Sequence, residues 1–261
     1  MNLKTILAGL LIVSVLAGCG STSKSTDTLE SIKSKGYITV ATEGTYSPFS
    51  YHNDKDQLIG YDVEIARAVA KKLGVKAKFV ETKWDGIVAG LDAKKYDVIF
   101  NQVGVTTERQ KKYLFAEPYT YTYASIITRK DNNSIKSFND LKGKKSSQTT
   151  NSNWADIVRK NGGEVVGTEG FNQSIELVLQ GRVDATVNDS VAYLDYKNNK
   201  PDADVKIAAQ GDDVLQSAPL IRKSDKTLQK AITKAIKELK SEGKLKEISS
   251  KYFKEDVSQP K

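Results

Sequence analysis

The chain has 261 residues, with 40 Lys and Arg against 32 Asp and Glu, a net charge of +8, one cysteine and one histidine. A single cysteine excludes an internal disulfide framework, and a single histidine gives a zinc site or a catalytic triad little to be built from. The length admits two modest domains or one large one. The basic balance is compatible with nucleic acid or an anionic surface, but the lysines are scattered along the sequence, so we read them as solvated surface and expect no nucleic-acid partner.

The first residues read as a targeting segment. Lys4 gives a positive start, Ile6 to Leu16 is almost wholly apolar, and Leu16-Ala17-Gly18-Cys19 closes the run with small residues. Charge, apolar core and small-residue cleavage site are the marks of a secretory signal. The run is too short to cross about 30 Å of hydrocarbon as a lasting helix. Its end resembles the bacterial lipobox, in which the cysteine thiol is acylated after cleavage just before it. Residues 1–18 are therefore expected as a lipoprotein signal peptide. Cys19 is the lipidation site, and 19–35 a lipidated N-terminus and polar tether that holds the chain at the outer face of the cell membrane.

Tyr37 to Ala41 is predicted as a strand, and Glu43 to Tyr51 as a loop marked by Gly44 and Pro48. Residues 61–73 place Val63, Ala66, Val69, Ala70 and Leu73 on one helical face, with Gly74 behind them as a stop. A strand over 76–82, a helix through Ile87, Val88 and Leu91, and a strand over 97–101 follow. This β-α-β-α-β order implies a parallel sheet covered by helices.

A similar series recurs: a short helix at 138–141, a strand at 145–148, a helix at 154–160, a strand at 164–166, a helix at 174–180, a strand at 183–187 and a helix at 191–197. A strand at 218–222 and two amphipathic helices end the chain. We therefore expect an α/β fold of two lobes. Residues 36–121 begin lobe one, 122–217 form lobe two with the hinge strands, 218–256 return to lobe one, and 257–261 are a polar tail. Two crossings, near Tyr121–Ser125 and Leu215–Pro219, would permit hinge bending with little twist.

Nucleophile-elbow, zinc-protease, Walker and dinucleotide motifs are absent. His52, beside Asn53 and Asp54, reads as a surface turn residue. What remains suits an amino acid. Thr106-Thr107-Glu108-Arg109 opens a helix with Thr106 as N-cap, and a helix N-terminus with a nearby arginine favours a carboxylate. A plain surface ion pair of Arg109 is equally open. Asp189 follows a strand where ligands bind in open α/β sheets. It either faces a cleft as counter-charge for an ammonium or caps the next helix. Tyr46, Phe49 and Trp84 lie near strand ends and can stack on a ligand or belong to the core.

Six linked motifs now acquire a common meaning: Glu43-Gly44-Thr45-Tyr46-Ser47-Pro48-Phe49, Gly60 to Ala66, Trp84-Asp85-Gly86, Thr106 to Arg109, Leu141-Lys142-Gly143-Lys144 and Gly181 to Ala185. Together they resemble the bacterial extracellular solute-binding proteins of family 3, receptors of polar amino-acid ABC importers. The resemblance covers nearly all of residues 36–256 and implies a two-lobed type II periplasmic-binding-protein clamp. It implies that Arg109 holds the ligand carboxylate with the Thr106 hydroxyl and backbone near Gly104, and that Asp189 binds the ammonium. Tyr46 and Trp84 would wall the side chain, and Glu43 would line the pocket. Asn151 and Ser152 stand where the family places a Gly-Thr pair, a departure in this chain.

Trp84-Asp85-Gly86, Asn101-Gln102-Val103, Ser152-Asn153 and Gly170 to Ser174 look most like cystine-binding members, with Glu43, Gln102 and Asn188 available to the second head group of cystine. The resemblance thus implies a monomeric receptor that delivers L-cystine to a membrane permease, without metal or cofactor and without enzymatic turnover. Receptors for glutamine, histidine or arginine/lysine, and a surface adhesin, are the alternatives.

Overall fold

The structure is a computed structural model that describes residues 27–260. Lobe one opens with Thr28–Lys35 (α1) and Tyr37–Thr42 (β1). A small antiparallel sheet follows, made of Thr45–Tyr46 (β2), Ser50–His52 (β3) and Leu58–Ile59 (β4). Next come Tyr61–Lys72 (α2), Lys76–Glu81 (β5), Trp84–Asp92 (α3), Val98–Ile99 (β6), Thr107–Lys112 (α4) and Tyr113–Phe115 (β7). Thr120–Thr122 (β8) leads across to lobe two, which begins with Ala124–Arg129 (β9), Lys145–Gln148 (β10), Asn153–Lys160 (α5) and Glu164–Gly167 (β11). Phe171–Leu179 (α6), Thr186–Asp189 (β12), Ser190–Asn199 (α7) and Val205–Gln210 (β13) complete it. Leu215–Ser217 (β14) returns, and Leu220–Arg222 (β15), Lys226–Ser241 (α8) and Lys244–Phe253 (α9) rejoin lobe one.

Both lobes use one strand order. In lobe one the sheet runs β5-β1-β6-β15-β7, with β1 parallel to β5 and β6, and β15 antiparallel to β6 and β7. In lobe two β10 pairs β11 in parallel and β12-β9-β13 is antiparallel. A parallel bridge from Ser146 to Ala185 joins these two pieces. The order β11-β10-β12-β9-β13 then mirrors lobe one. Alternation sends successive side chains to opposite faces: Val40 and Ile127 pack into the main core, Ala41 and Ile126 into separate cores on the far sides of their sheets. Between the lobes, β8 and β14 pair antiparallel, Leu215 opposite Thr122 and Ser217 opposite Thr120.

The structure corrects several expectations. The segment expected as a tether is helical from Thr28: Asp27 accepts from Leu29 N at 2.8 Å, Gly36 ends the helix at φ 74°, and Ile32 is fully buried. Cys19 and the signal residues lie outside the described residues. The expected polar tail packs on the hinge, because Val257 is buried and its carbonyl accepts from Tyr121 N at 2.8 Å. The loop expected over 43–51 contains β2 and the start of β3. Helix α6 starts at Phe171 rather than Ser174, since Gly170 supplies the extended entrance and Phe171 reaches the core. Strands β7, β9 and β13 escaped the reading of the sequence. No helix among the described residues is long and apolar enough to cross a membrane.

Candidate ligand-binding site

A cavity lies between the lobes. Lobe one lines it with Glu43, Tyr46, Trp84, Asn101 and Gln102; lobe two with Thr149, Ser152, Asn153, Trp154, Gly170, Phe171 and Asn188. Apart from Tyr46 in β2 and Asn188 in β12, these residues sit after strand ends (β1, β6, β10) or at helix starts (α3, α5, α6), the crevice where doubly wound sheets bind ligands.

On lobe one Asn101 is a hub. Its Oδ1 accepts from Thr42 Oγ1 at 3.0 Å and Glu43 N at 2.8 Å, and its Nδ2 donates to Glu43 Oε2 at 2.6 Å. Burial pushes the Glu43 carboxyl up to about 7; the Asn101 bond opposes this and the Asp85 charge adds to it. The neighbouring Gln102 adopts φ 49°, a conformation uncommon outside glycine. Asp62 fixes it there, accepting from Gln102 N at 2.8 Å and from Gln102 Nε2 at 2.6 Å. Desolvation raises the buried Asp62 carboxyl to about 7 as well.

Thr106 accepts from Arg109 N at 3.2 Å and so caps α4 as the spacing predicts. The Arg109 guanidinium lies 5.4 Å from the Trp84 ring centroid. It donates to Gly104 O at 2.9 Å and, across the cleft, to Asn151 O at 3.4 Å. No carboxylate among the described residues is in an ion pair with it, so the surface ion pair is not formed. Burial lowers its pKa. Gly104 leaves space that Asn153 fills: a Cβ on Gly104 would stand 3.2 Å from Asn153 Cγ and Oδ1.

The lobes meet at further points. Tyr46 OH donates to Asn188 Oδ1 at 2.8 Å, Ser47 Oγ to Asp195 Oδ2 at 2.8 Å, and Lys83 pairs with Glu169 at 2.6 Å. The clamp is therefore closed.

Of the residues singled out in the sequence, Glu43, Tyr46, Trp84, Gln102, Ser152 and Asn188 line the cavity. Gly104, Thr106, Arg109 and Asn151 gather at its rim through the contacts above. Asp189 is not on the wall. It caps α7, accepting from Val191 N at 3.2 Å and from Thr122 Oγ1 at 2.5 Å, and desolvation raises it to about 7. Ser152 likewise spends its hydroxyl on capping α5 and on Thr149 O. Phe49 is fully buried in the core. His52 faces Glu81 at 3.5 Å and is not part of the cavity wall. Asn101, Thr149, Asn153, Trp154, Gly170 and Phe171 line the cavity without having been singled out as site residues. Applying the strand-end rule to β6 and β10, and to the starts of α5 and α6, would have found them.

Residues 38–255 match the family described as bacterial extracellular solute-binding proteins, family 3. The L-cystine-binding protein TcyA of Bacillus subtilis (strain 168) is 44% identical over 98% of this chain and 99% of its own length. The L-cystine solute receptor of Neisseria gonorrhoeae, solved in an unliganded open conformation, is 42% identical, with a TM-score of 0.60 over 89% of this chain and 98% of that one. An ancestral arginine-binding protein bound to arginine is 36% identical, yet reaches 0.79 over 84% of this chain and 98% of that one. The less identical, filled relative superposes better, which agrees with the closed cleft seen here. With its matched strand orders, paired hinge strands and interlobe cavity at the strand ends, the chain belongs to the bacterial extracellular solute-binding proteins of family 3.

Proposed function

We propose that this protein is the amino-acid receptor of an ABC importer, that its ligand is L-cystine, and that it hands the ligand to a membrane permease. The observation that carries the reading is Arg109, a half-buried guanidinium over the Trp84 ring at the seam between the lobes, bonded to backbone oxygens and to no carboxylate among the described residues. A charge partly withdrawn from water without an ionic partner loses solvation, and a ligand carboxylate supplies the missing partner with two parallel hydrogen bonds. Thr106 and the backbone of Gly104 assist there. Asp189, one residue behind the wall, contributes negative potential to the ammonium of the same head group. Glu43, Gln102 and Asn188 receive the second head group, which cystine has and glutamine lacks. The names of TcyA and the gonococcal receptor point to the same ligand.

The arginine-filled relative favours a second reading, a basic amino acid whose side-chain cation meets Glu43. Isothermal calorimetry against cystine, arginine, glutamine and histidine separates the two. Cystine should bind most tightly, and Arg109→Ala should weaken it at least a hundredfold, about 2.7 kcal/mol, while the chain stays folded by circular dichroism. Tighter binding of arginine, or wild-type affinity in Arg109→Ala, overturns the assignment.

Binding is the whole activity in this reading: the ligand leaves unchanged. The receptor works as a monomer on the outer face of the membrane, held by acylation of Cys19. Labelled palmitate should enter the wild-type chain and not Cys19→Ala, which should leave the membrane and keep its affinity for cystine. Label or membrane retention in Cys19→Ala contradicts the anchor.

A further inference from the structure

The sequence scatters the lysines; the fold collects them. The parallel strands of lobe one point their C-terminal ends at the cleft, where Glu43 follows β1 and Asn101 and Gln102 follow β6. The opposite edge of the same sheet carries an exposed lysine beside each of its five strands. Lys76 opens β5, Lys35 precedes β1, Lys95 precedes β6, Lys223 follows β15 and Lys112 precedes β7. Neighbouring strands lie about 4.8 Å apart, so this row is roughly 19 Å long. Lys94 and Lys111 stand beside Lys95 and Lys112.

Only Lys35 of the five is in an ion pair among the described residues, with Asp97 at 2.9 Å. Asp97 also accepts from Thr39 N and Oγ1, and Asp92 accepts from Tyr113 OH at 2.7 Å, so the acids of this edge are engaged. The preference of helix C-termini for cations accounts for Lys35 and Lys112, but not for Lys76, which opens a strand, or Lys223, which follows one. The cleft end of the lobe bears Glu43, Asp62 and Asp85. Lys83 and Arg109 stand at that end with them, whereas the far edge carries the row of lysines.

The chain enters at the basic end. Asp27 Oδ1 accepts from Thr227 Oγ1 at 2.7 Å, and Thr28 Oγ1 donates to Asp225 Oδ1 at 3.1 Å, just beyond the end of β15. From Cys19 to Asp27 the backbone reaches at most about 29 Å. Given the acylated Cys19 proposed above, on which this step rests, the lysine row is held within that distance of the bilayer. We propose that this edge of lobe one rests on anionic phospholipid headgroups, which turns the cleft outward while ligand is captured. One acyl anchor and a basic patch are complementary membrane signals.

The test uses residues 20–261, which contain every described element and carry no lipid, in sedimentation with vesicles. The chain should partition onto vesicles containing 30% phosphatidylglycerol, not onto pure phosphatidylcholine, and 0.5 M NaCl should release it. Each lysine at such a surface contributes a factor of about five. Replacing Lys76, Lys95, Lys112 and Lys223 by Gln should therefore lower partition at least a hundredfold. The same change at Lys136, Lys142, Lys145 and Lys160 of lobe two should lower it less than tenfold. No partition onto anionic vesicles, or equal loss in the two variants, overturns the proposal. Retention on an acidic polysaccharide without vesicle binding also overturns it and points to a wall polymer. Cystine calorimetry on the same variants should be unchanged, so failure here and failure of the receptor reading are read separately.

Discussion

At Glu43 burial and hydrogen bonding oppose each other. Asn101 favours the ionised carboxylate, but desolvation dominates and leaves the group near 7, well above the ordinary carboxylate range. A ligand ammonium binds the ionised form only. Below pH 7 the carboxyl is protonated in the closed cleft, so ligand binding must expel a proton; above it the site is already charged. Cystine affinity should therefore weaken as pH falls from 8 to 6, with protons released on binding near pH 7. Glu43→Gln should bind more weakly and show a flatter profile. Calorimetry in two buffers of different ionisation enthalpy reads both quantities, and a wild-type profile that is flat from pH 6 to 8 removes Glu43 from the site. Glu43 was legible in the sequence through its motif. The role of Asn101 was not, because the hub arises only when β6 is placed beside β1.

At the scale of elements, legibility follows periodicity. Helices α2 and α8 carry long apolar stripes: α2 was read nearly to its ends, and α8 as one of the two last amphipathic helices. Helix α1 was missed because one residue, Ile32, supplies its buried contact within a polar sequence. That side chain is fully buried in the main core. Ile32→Ala should cost about 2–5 kcal/mol in urea unfolding, whereas a segment that acted as a tether would cost almost nothing. In β10 the sequence Lys145-Ser146-Ser147-Gln148 is polar although three of its four residues are buried. The Ser147 hydroxyl donates to Ser174 O, and Thr186 Oγ1 donates to the Ser147 carbonyl, both partners coming from elsewhere in lobe two. Such a strand has no hydrophobic signature, and although the sequence places it at 145–148, nothing in it signals that Thr149 and Trp154 beyond its end line the site.

At the scale of the whole molecule, the site is a property of closure. Tyr46 and Asn188 are 142 positions apart and meet only when two separately readable lobes fold together about β8 and β14. The sequence discloses both halves and the two crossings between them, but not which side chains come face to face. The Lys83–Glu169 pair across the seam is more than two-thirds exposed on both sides, and such pairs contribute little. The half-buried contacts around Tyr46, Arg109 and Asn153 set the fit instead.

The bare backbone at Gly104 turns that fit into a gauge. A Cβ added there would stand 3.2 Å from the Asn153 side chain of the opposite lobe, slightly tight, so larger side chains at this one position act as a doorstop. Alanine, valine and phenylalanine in turn should hold the lobes progressively ajar, read as rising interlobe distance between fluorophores on the two lobes and falling cystine affinity. Equal distances across the series would mean that the seam yields elsewhere. A graded series would turn the receptor into a cystine sensor whose working range is set by one residue.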